Sequence, residues 1–146
     1  MIDLLASAVL LLTSSQNAAA APESGWTWTL YADDSPVVLA HEVPDTAHLR
    51  TTFECEPGGS VARLTLYGVE AAAGMARLAA GEATAVAEAA GGRDGLRLAL
   101  RTDHPVFAAF AVDGRLSVAV GDRRRTIEVP AAHLARLRRF AELCAG

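Results

Sequence analysis

Leu49-Arg50-Thr51-Thr52-Phe53-Glu54-Cys55-Glu56 is the stretch on which the fold turns. Leu49, Thr51, Phe53 and Cys55 share one side, and Arg50, Thr52, Glu54 and Glu56 share the other. Successive side chains of an extended chain point to opposite faces, so a period of two marks a half-buried β-strand. Cys55 falls on the apolar side, where a structural disulfide belongs. Pro57-Gly58-Gly59-Ser60 is turn chemistry. Val61-Ala62-Arg63-Leu64-Thr65-Leu66-Tyr67 then alternates again, so the two strands should pair as a hairpin.

Toward the N-terminus, Trp26-Thr27-Trp28-Thr29-Leu30-Tyr31 alternates strictly, with Trp26, Trp28 and Leu30 on one side. Asp33-Asp34-Ser35-Pro36 is a turn, Val37–His41 reads as the returning strand, and Pro44-Asp45 ends it. Toward the C-terminus the pattern first becomes ambiguous. Residues 69–92 are rich in alanine, which favours helix. Gly74, Gly81 and Gly91-Gly92 interrupt that helix, and Glu82, Thr84, Val86 and Glu88 alternate with alanines. Strands are therefore expected around Met75–Leu78 and over Glu82–Ala89, with a helix over 70–80 as the alternative. Leu96–Arg101 alternates once more.

Asp103 or His104 can cap a short helix, Pro105 suits its first turn and Gly114 its end, with Phe107 and Phe110 on one face. Leu116–Val120 and Thr126–Val129 form a last hairpin around Gly121-Asp122-Arg123. Pro130 opens the final helix, whose Leu134, Leu137, Phe140, Ala141 and Cys144 recur at helical spacing. Cys144 then points inward from the last turn, toward a sheet whose third strand offers Cys55. The expected fold is α+β: a mainly antiparallel sheet of roughly seven or eight strands, curled as a half-barrel or sandwich. A short internal helix and a C-terminal helix pack on it.

Residues 1–20 read as a signal peptide. Leu4–Leu12 is a short apolar core, and Ala18-Ala19-Ala20 fits the small-residue cleavage rule, with the cut after Ala20. Asp3 and the lack of Lys or Arg before the apolar run depart from the usual pattern. The run is too short for a transmembrane anchor, and no cysteine follows it to carry a lipid. Residues 21–146 are then a single domain, periplasmic or secreted. In an oxidising compartment the two cysteines are expected to join as Cys55–Cys144, closing a loop of about 90 residues worth roughly 4–5 kcal/mol in the chain-entropy picture. Two buried thiols are the alternative.

All thirteen basic residues are arginine and the net charge is −4. Without lysine, Schiff-base and P-loop chemistry are excluded. Seven of the arginines fall in residues 115–146 beside three acids. Arg123, Arg124, Arg125, Arg136, Arg138 and Arg139 are thus a possible basic patch for an anionic surface or an unknown envelope protein. A solvated helix face, or packing on the acidic body of the same domain, is the plainer reading. Nucleic acid is not an expected partner, because the chain is acidic and has no aromatics interleaved with those arginines.

Three constellations could carry chemistry. Asp103 beside His104 has the residue types of a tuned general base, but it sits where a helix cap is needed. Cys55 with His41, His48 or His133 could supply a thiol and a base, against which export and a partner cysteine argue. His41, His48, His104 and His133 lack metal-ligand spacing, so no metal or other cofactor is expected. Trp26 and Trp28 could stack on a ligand, but their shared face reads as core.

The early Trp-rich strand, Phe53-Glu54-Cys55 before a Pro-Gly turn, His104-Pro105-Val106-Phe107, Gly114-Arg115-Leu116-Ser117-Val118 and Phe140-Ala141-Glu142-Leu143-Cys144 occur in a familiar order. In this the chain resembles small exported bacterial proteins of unknown function that pair an early strand cysteine with a C-terminal helix cysteine. The resemblance implies the disulfide and strands over 75–89, and assigns no activity, cofactor or partner. The functional expectation is a non-enzymatic binding or accessory protein. The alternatives are a small hydrolase built on an acid–histidine pair, and a protein docking on the anionic envelope through its C-terminal arginines.

Overall fold

The computed structural model describes residues 25–70 and 73–146. The expected signal peptide and its cleavage site lie outside these residues. Nine strands and two helices follow in chain order: β1 (Thr27–Tyr31), β2 (Val37–Glu42), β3 (Leu49–Cys55), β4 (Val61–Tyr67), β5 (Gly74–Ala80), β6 (Ala83–Gly91), β7 (Gly95–Arg101), α1 (Pro105–Asp113), β8 (Arg115–Val120), β9 (Arg123–Glu128) and α2 (Leu134–Cys144). A 3-10 turn, Ala131–His133, precedes α2. No helix among the described residues is long and apolar enough to cross a membrane.

The strands form one sheet in the order β1-β2-β3-β4-β7-β6-β5-β8-β9. Every pairing is antiparallel. The sheet curls as a half-barrel, and both helices pack on it: α2 against β1 and β2, α1 against β5, β6 and β8. Phe53 of β3 lies at the junction, its ring 5.3 Å from Phe110 of α1 and 6.1 Å from Phe140 of α2. Phe107 completes the cluster. All four rings are buried, each stabilising the fold by about 1.5–3 kcal/mol through removal from water.

Residues 74–80 are strand, and the helix alternative is excluded there. Ala83, Ala85, Ala87 and Ala89 of β6 face inward while Thr84, Val86 and Glu88 are exposed. Alanine, a helix former in isolation, here supplies the small side chains against which α1 packs. The sheet has nine strands, more than expected. A second correction concerns Arg123-Arg124-Arg125, which lies in β9 and not in the hairpin loop. The loop is two residues long, Gly121-Asp122, because Val120 already pairs with Arg123. Gly121 supplies the left-handed conformation (φ 55°) such a turn needs.

The far end of the half-barrel is locked. Cys55 and Cys144 are joined as a disulfide, with Cα atoms 5.8 Å apart and 89 residues between them in sequence. The last carbonyls of a helix have no partners within it. In α2 those of Leu143 and Cys144 accept from the N–H groups of Gly58 and Ser60, at 2.9 and 2.8 Å, in the β3–β4 turn.

Candidate ligand-binding cleft

The opposite end is open. The two edges of the sheet approach each other there without pairing. Trp28 of β1 donates its Nε1–H to the carbonyl of Glu128 in β9, at 3.0 Å. Arg136 of α2 donates to the carbonyl of Trp28. The Val129 N–H bonds to the Gly114 carbonyl, at 2.7 Å, so the ladder parity turns the backbone of Glu128, Thr126 and Arg124 toward the free edge of β9. Trp28 covers one of those carbonyls, and the exposed charges of Arg123 and Arg124 discourage a further strand from adding.

Between β2–β3 and β9 lies a cleft of about 690 Å³, a size suited to a small molecule. His41, Arg50 and Thr51 line one wall, Arg125 and the chain on to Ala131 the other, and the α1–β8 corner at Gly114 closes the side. Gly114 ends α1 with φ 74°. A Cβ there would lie 2.4 Å from the Val129 carbonyl oxygen, so only glycine lets α1 and the end of β9 meet this closely.

Aromatic rings back the first wall, packed against His41. Trp28 and His41 are opposite each other in the β1–β2 register, and their rings stack at 4.7 Å with 7° between planes. Trp26 meets His41 edge-on at 5.4 Å. The Arg50 guanidinium carbon stands 3.9 Å over the Trp26 ring, a cation–π contact. A bulge between His41 and Glu42 bends β2 at this point. Burial is the main reason the His41 imidazole titrates low, at about 4, and Arg50, His133 and Arg125 add to it. It is therefore neutral at pH 7.

The second wall is cationic. Arg125 points inward with Ile127, and its Nη1 donates to the carbonyls of Arg50 (3.2 Å) and Tyr67 (2.9 Å). It braces β9 against β3 and the end of β4. Burial, and then the nearby charge of Arg50, lower its pKa. The carboxylate of Glu128 at the lip is held by Arg115, at 3.3 Å. Two buried polar atoms have no hydrogen-bond partner among the described residues, Trp26 Nε1 and His133 Nδ1; Trp26 rings His41, and His133 acts electrostatically on it.

Other expected sites come apart. Asp103 accepts two hydrogen bonds from Arg101, each 2.9 Å, which lower its pKa. His104 turns away to cap α1, its Nδ1 accepting from the Val106 N–H at 3.0 Å. The two are a brace and a cap. Cys55 is oxidised, so it offers no thiol. No group of three or more His, Cys, Asp or Glu side chains among the described residues could hold a metal.

The six arginines do not act as one face. Arg125 is turned inward, Arg136 is spent on Trp28, Arg139 bridges to Glu142 at 3.2 Å, and Arg123, Arg124 and Arg138 are exposed. Trp28 is core as expected, but Trp26 is only half-buried. The grouping of His41, Arg50 and Arg125 is new. Its signal in the sequence was parity: Arg125 alternates in phase with Ile127 and Val129, and His41 with Val37 and Leu39. Both are polar residues at positions that point inward. No protein-family model, no curated protein and no solved structure matches the chain.

Proposed function

We propose that this is an exported, non-enzymatic binding protein whose ligand occupies the cleft between the two edges of the sheet. The observation that carries the reading is the cleft itself: about 690 Å³, with His41, Arg50 and Thr51 on one side and a braced arginine, Arg125, on the other. Residues that serve only the core have no reason to leave such a volume open. The disulfide and the apolar N-terminal segment agree with export. A catalytic reading would require a base poised near neutrality. His41 is held neutral far below that, and Asp103 and His104 have separate structural partners.

Two measurements test the reading. Intact mass of the exported protein should give a chain starting at Ala21 with no alkylatable thiol until reduction. An uncleaved chain with two reactive thiols would overturn export. A fragment library screened by amide chemical shifts should produce hits that move Arg50, Thr51 and Thr126–Ala131 together. Hits that scatter over the outer face of the sheet, or none at all, would overturn the cleft as the binding site.

A further inference from the structure

We infer that the cleft is selective for small anions, and that the free edge of the Arg125 guanidinium receives their carboxylate or phosphate group. This rests on the cleft being the binding site, and goes beyond it by naming the ligand's charge and its receptor.

The argument begins with donor accounting. A guanidinium carries five N–H donors, two on each terminal nitrogen and one on Nε. Both carbonyl bonds of Arg125 come from Nη1, to Arg50 and to Tyr67. The Nε–Nη2 edge has no partner among the described residues. That edge presents two parallel N–H groups, the fork that matches two oxygens of a carboxylate or phosphate. The carbonyl bonds also fix its direction, so little side-chain entropy is lost on binding.

Electrostatics points the same way. Arg125 is half-buried, bonded to the Arg50 carbonyl, and close enough to the Arg50 charge for that charge to work against its own. Like charges in a partly dehydrated cleft are a standing cost that an entering anion offsets. The chain as a whole carries −4, yet both walls of this cleft present arginines, Arg50 and Arg125. Three arginines, Arg50, Arg115 and Arg125, line the cleft against two carboxylates, Asp113 and Glu128, and Glu128 is already bridged to Arg115. A cationic pocket in an acidic protein draws anions inward and keeps cations out.

The structural alternative is that Arg125 is only a brace. A brace needs Nη1 alone; it explains neither the open Nε–Nη2 edge nor the cleft that Arg125 lines.

The test uses the oxidised, full mature chain with labelled arginine side chains, titrated with inorganic phosphate, sulfate, benzoate and uncharged benzamide. The Arg125 Nε–H resonance and the amides of Thr51 and Ile127 should shift and saturate with at least one anion, and at least tenfold less with benzamide than with benzoate. Arg125→Lys, which keeps the charge and loses the fork, should weaken anion binding about tenfold, and Arg138→Gln less than twofold. If Arg125→Lys does not fold, the wild-type Nε–H shift and the benzoate–benzamide ratio still decide.

Equal response to benzoate and benzamide would overturn anion selectivity and leave the cleft as a binding site. No response to any probe, with no fragment hits in the cleft, would overturn both. Binding to phosphatidylglycerol vesicles with no response to soluble anions would assign the arginines to a membrane surface, and would overturn the small-anion site.

Discussion

β3 and α2 each have one end at the disulfide and the other at the cleft, and the two ends are built on opposite principles. At the disulfide end, Cys55 and Cys144 are bonded and the last carbonyls of α2 take the N–H groups of Gly58 and Ser60. At the other end, roughly 16 Å away along either element, a cation has a carbonyl brace, and an indole N–H and an imidazole nitrogen have no partner among the described residues. The same strand and helix thus run from a satisfied end to an unsatisfied one. Unmet polar groups are costly when buried, and both of these lie around His41, on the wall of the cleft. The disulfide and the turn hydrogen bonds form a latch at the satisfied end.

The largest expected effect lies at the latch. Cys55→Ala/Cys144→Ala should lower unfolding free energy by about 4 kcal/mol, because the bridge closes a long loop in the unfolded chain. Urea titration of the oxidised protein and the double variant measures this. A loss below about 1 kcal/mol would mean that the hydrogen bonds of the turn hold this end unaided, and would erase the contrast.

A smaller effect belongs to the cleft. Folded His41 titrates at about 4 against an ordinary 6.5. Between those values the unfolded chain takes up a proton that the folded protein refuses. Stability should therefore be level above about pH 6.5 and fall as pH drops toward 4. The full shift would correspond to about 3 kcal/mol, and partial solvent access reduces this to about 1–2 kcal/mol. Urea midpoints at pH 7, 5.5 and 4.5 follow it, and His41→Gln should remove this component of the slope. A His41→Gln profile identical to wild type would show that the imidazole is not the strained group.

The smallest effect is at the cleft's lip. Arg115 and Glu128 are both largely exposed, and their bridge is 3.3 Å long. Arg115→Gln should change stability by less than about 0.5 kcal/mol. A loss above about 1.5 kcal/mol would show that the lip is as firmly built as the latch.

Most of the elements were legible because each is a local pattern with one apolar side. The alternation over 49–56 placed β3 and the inward Cys55, and the helical spacing from Leu134 to Cys144 placed α2 and the inward Cys144; together they implied the bridge. Pro105 and Gly114 bounded α1, and His104 was named as one of two possible caps. The arginine run was misplaced because a basic triplet looks like a loop, whereas the two-residue turn at Gly121-Asp122 draws all of it into strand. Trp26 was assigned to the core by parity alone; parity gives the face of a strand, and its position at the mouth of the half-barrel leaves the ring half-buried.

What the sequence by itself determined is therefore the set of strands and helices, the face each one buries and the two cysteines that meet, since these follow from periodicity and from burial of the apolar side. Only the tertiary structure decided that β4 pairs with β7 and not β5, that the sheet curls until Trp28 reaches Glu128, and that Arg125 lies beside Arg50, 75 residues away in sequence. Those are contacts between elements. Their geometry is set by how every face packs at once, around four buried phenylalanines, and no local stretch of chain carries that information.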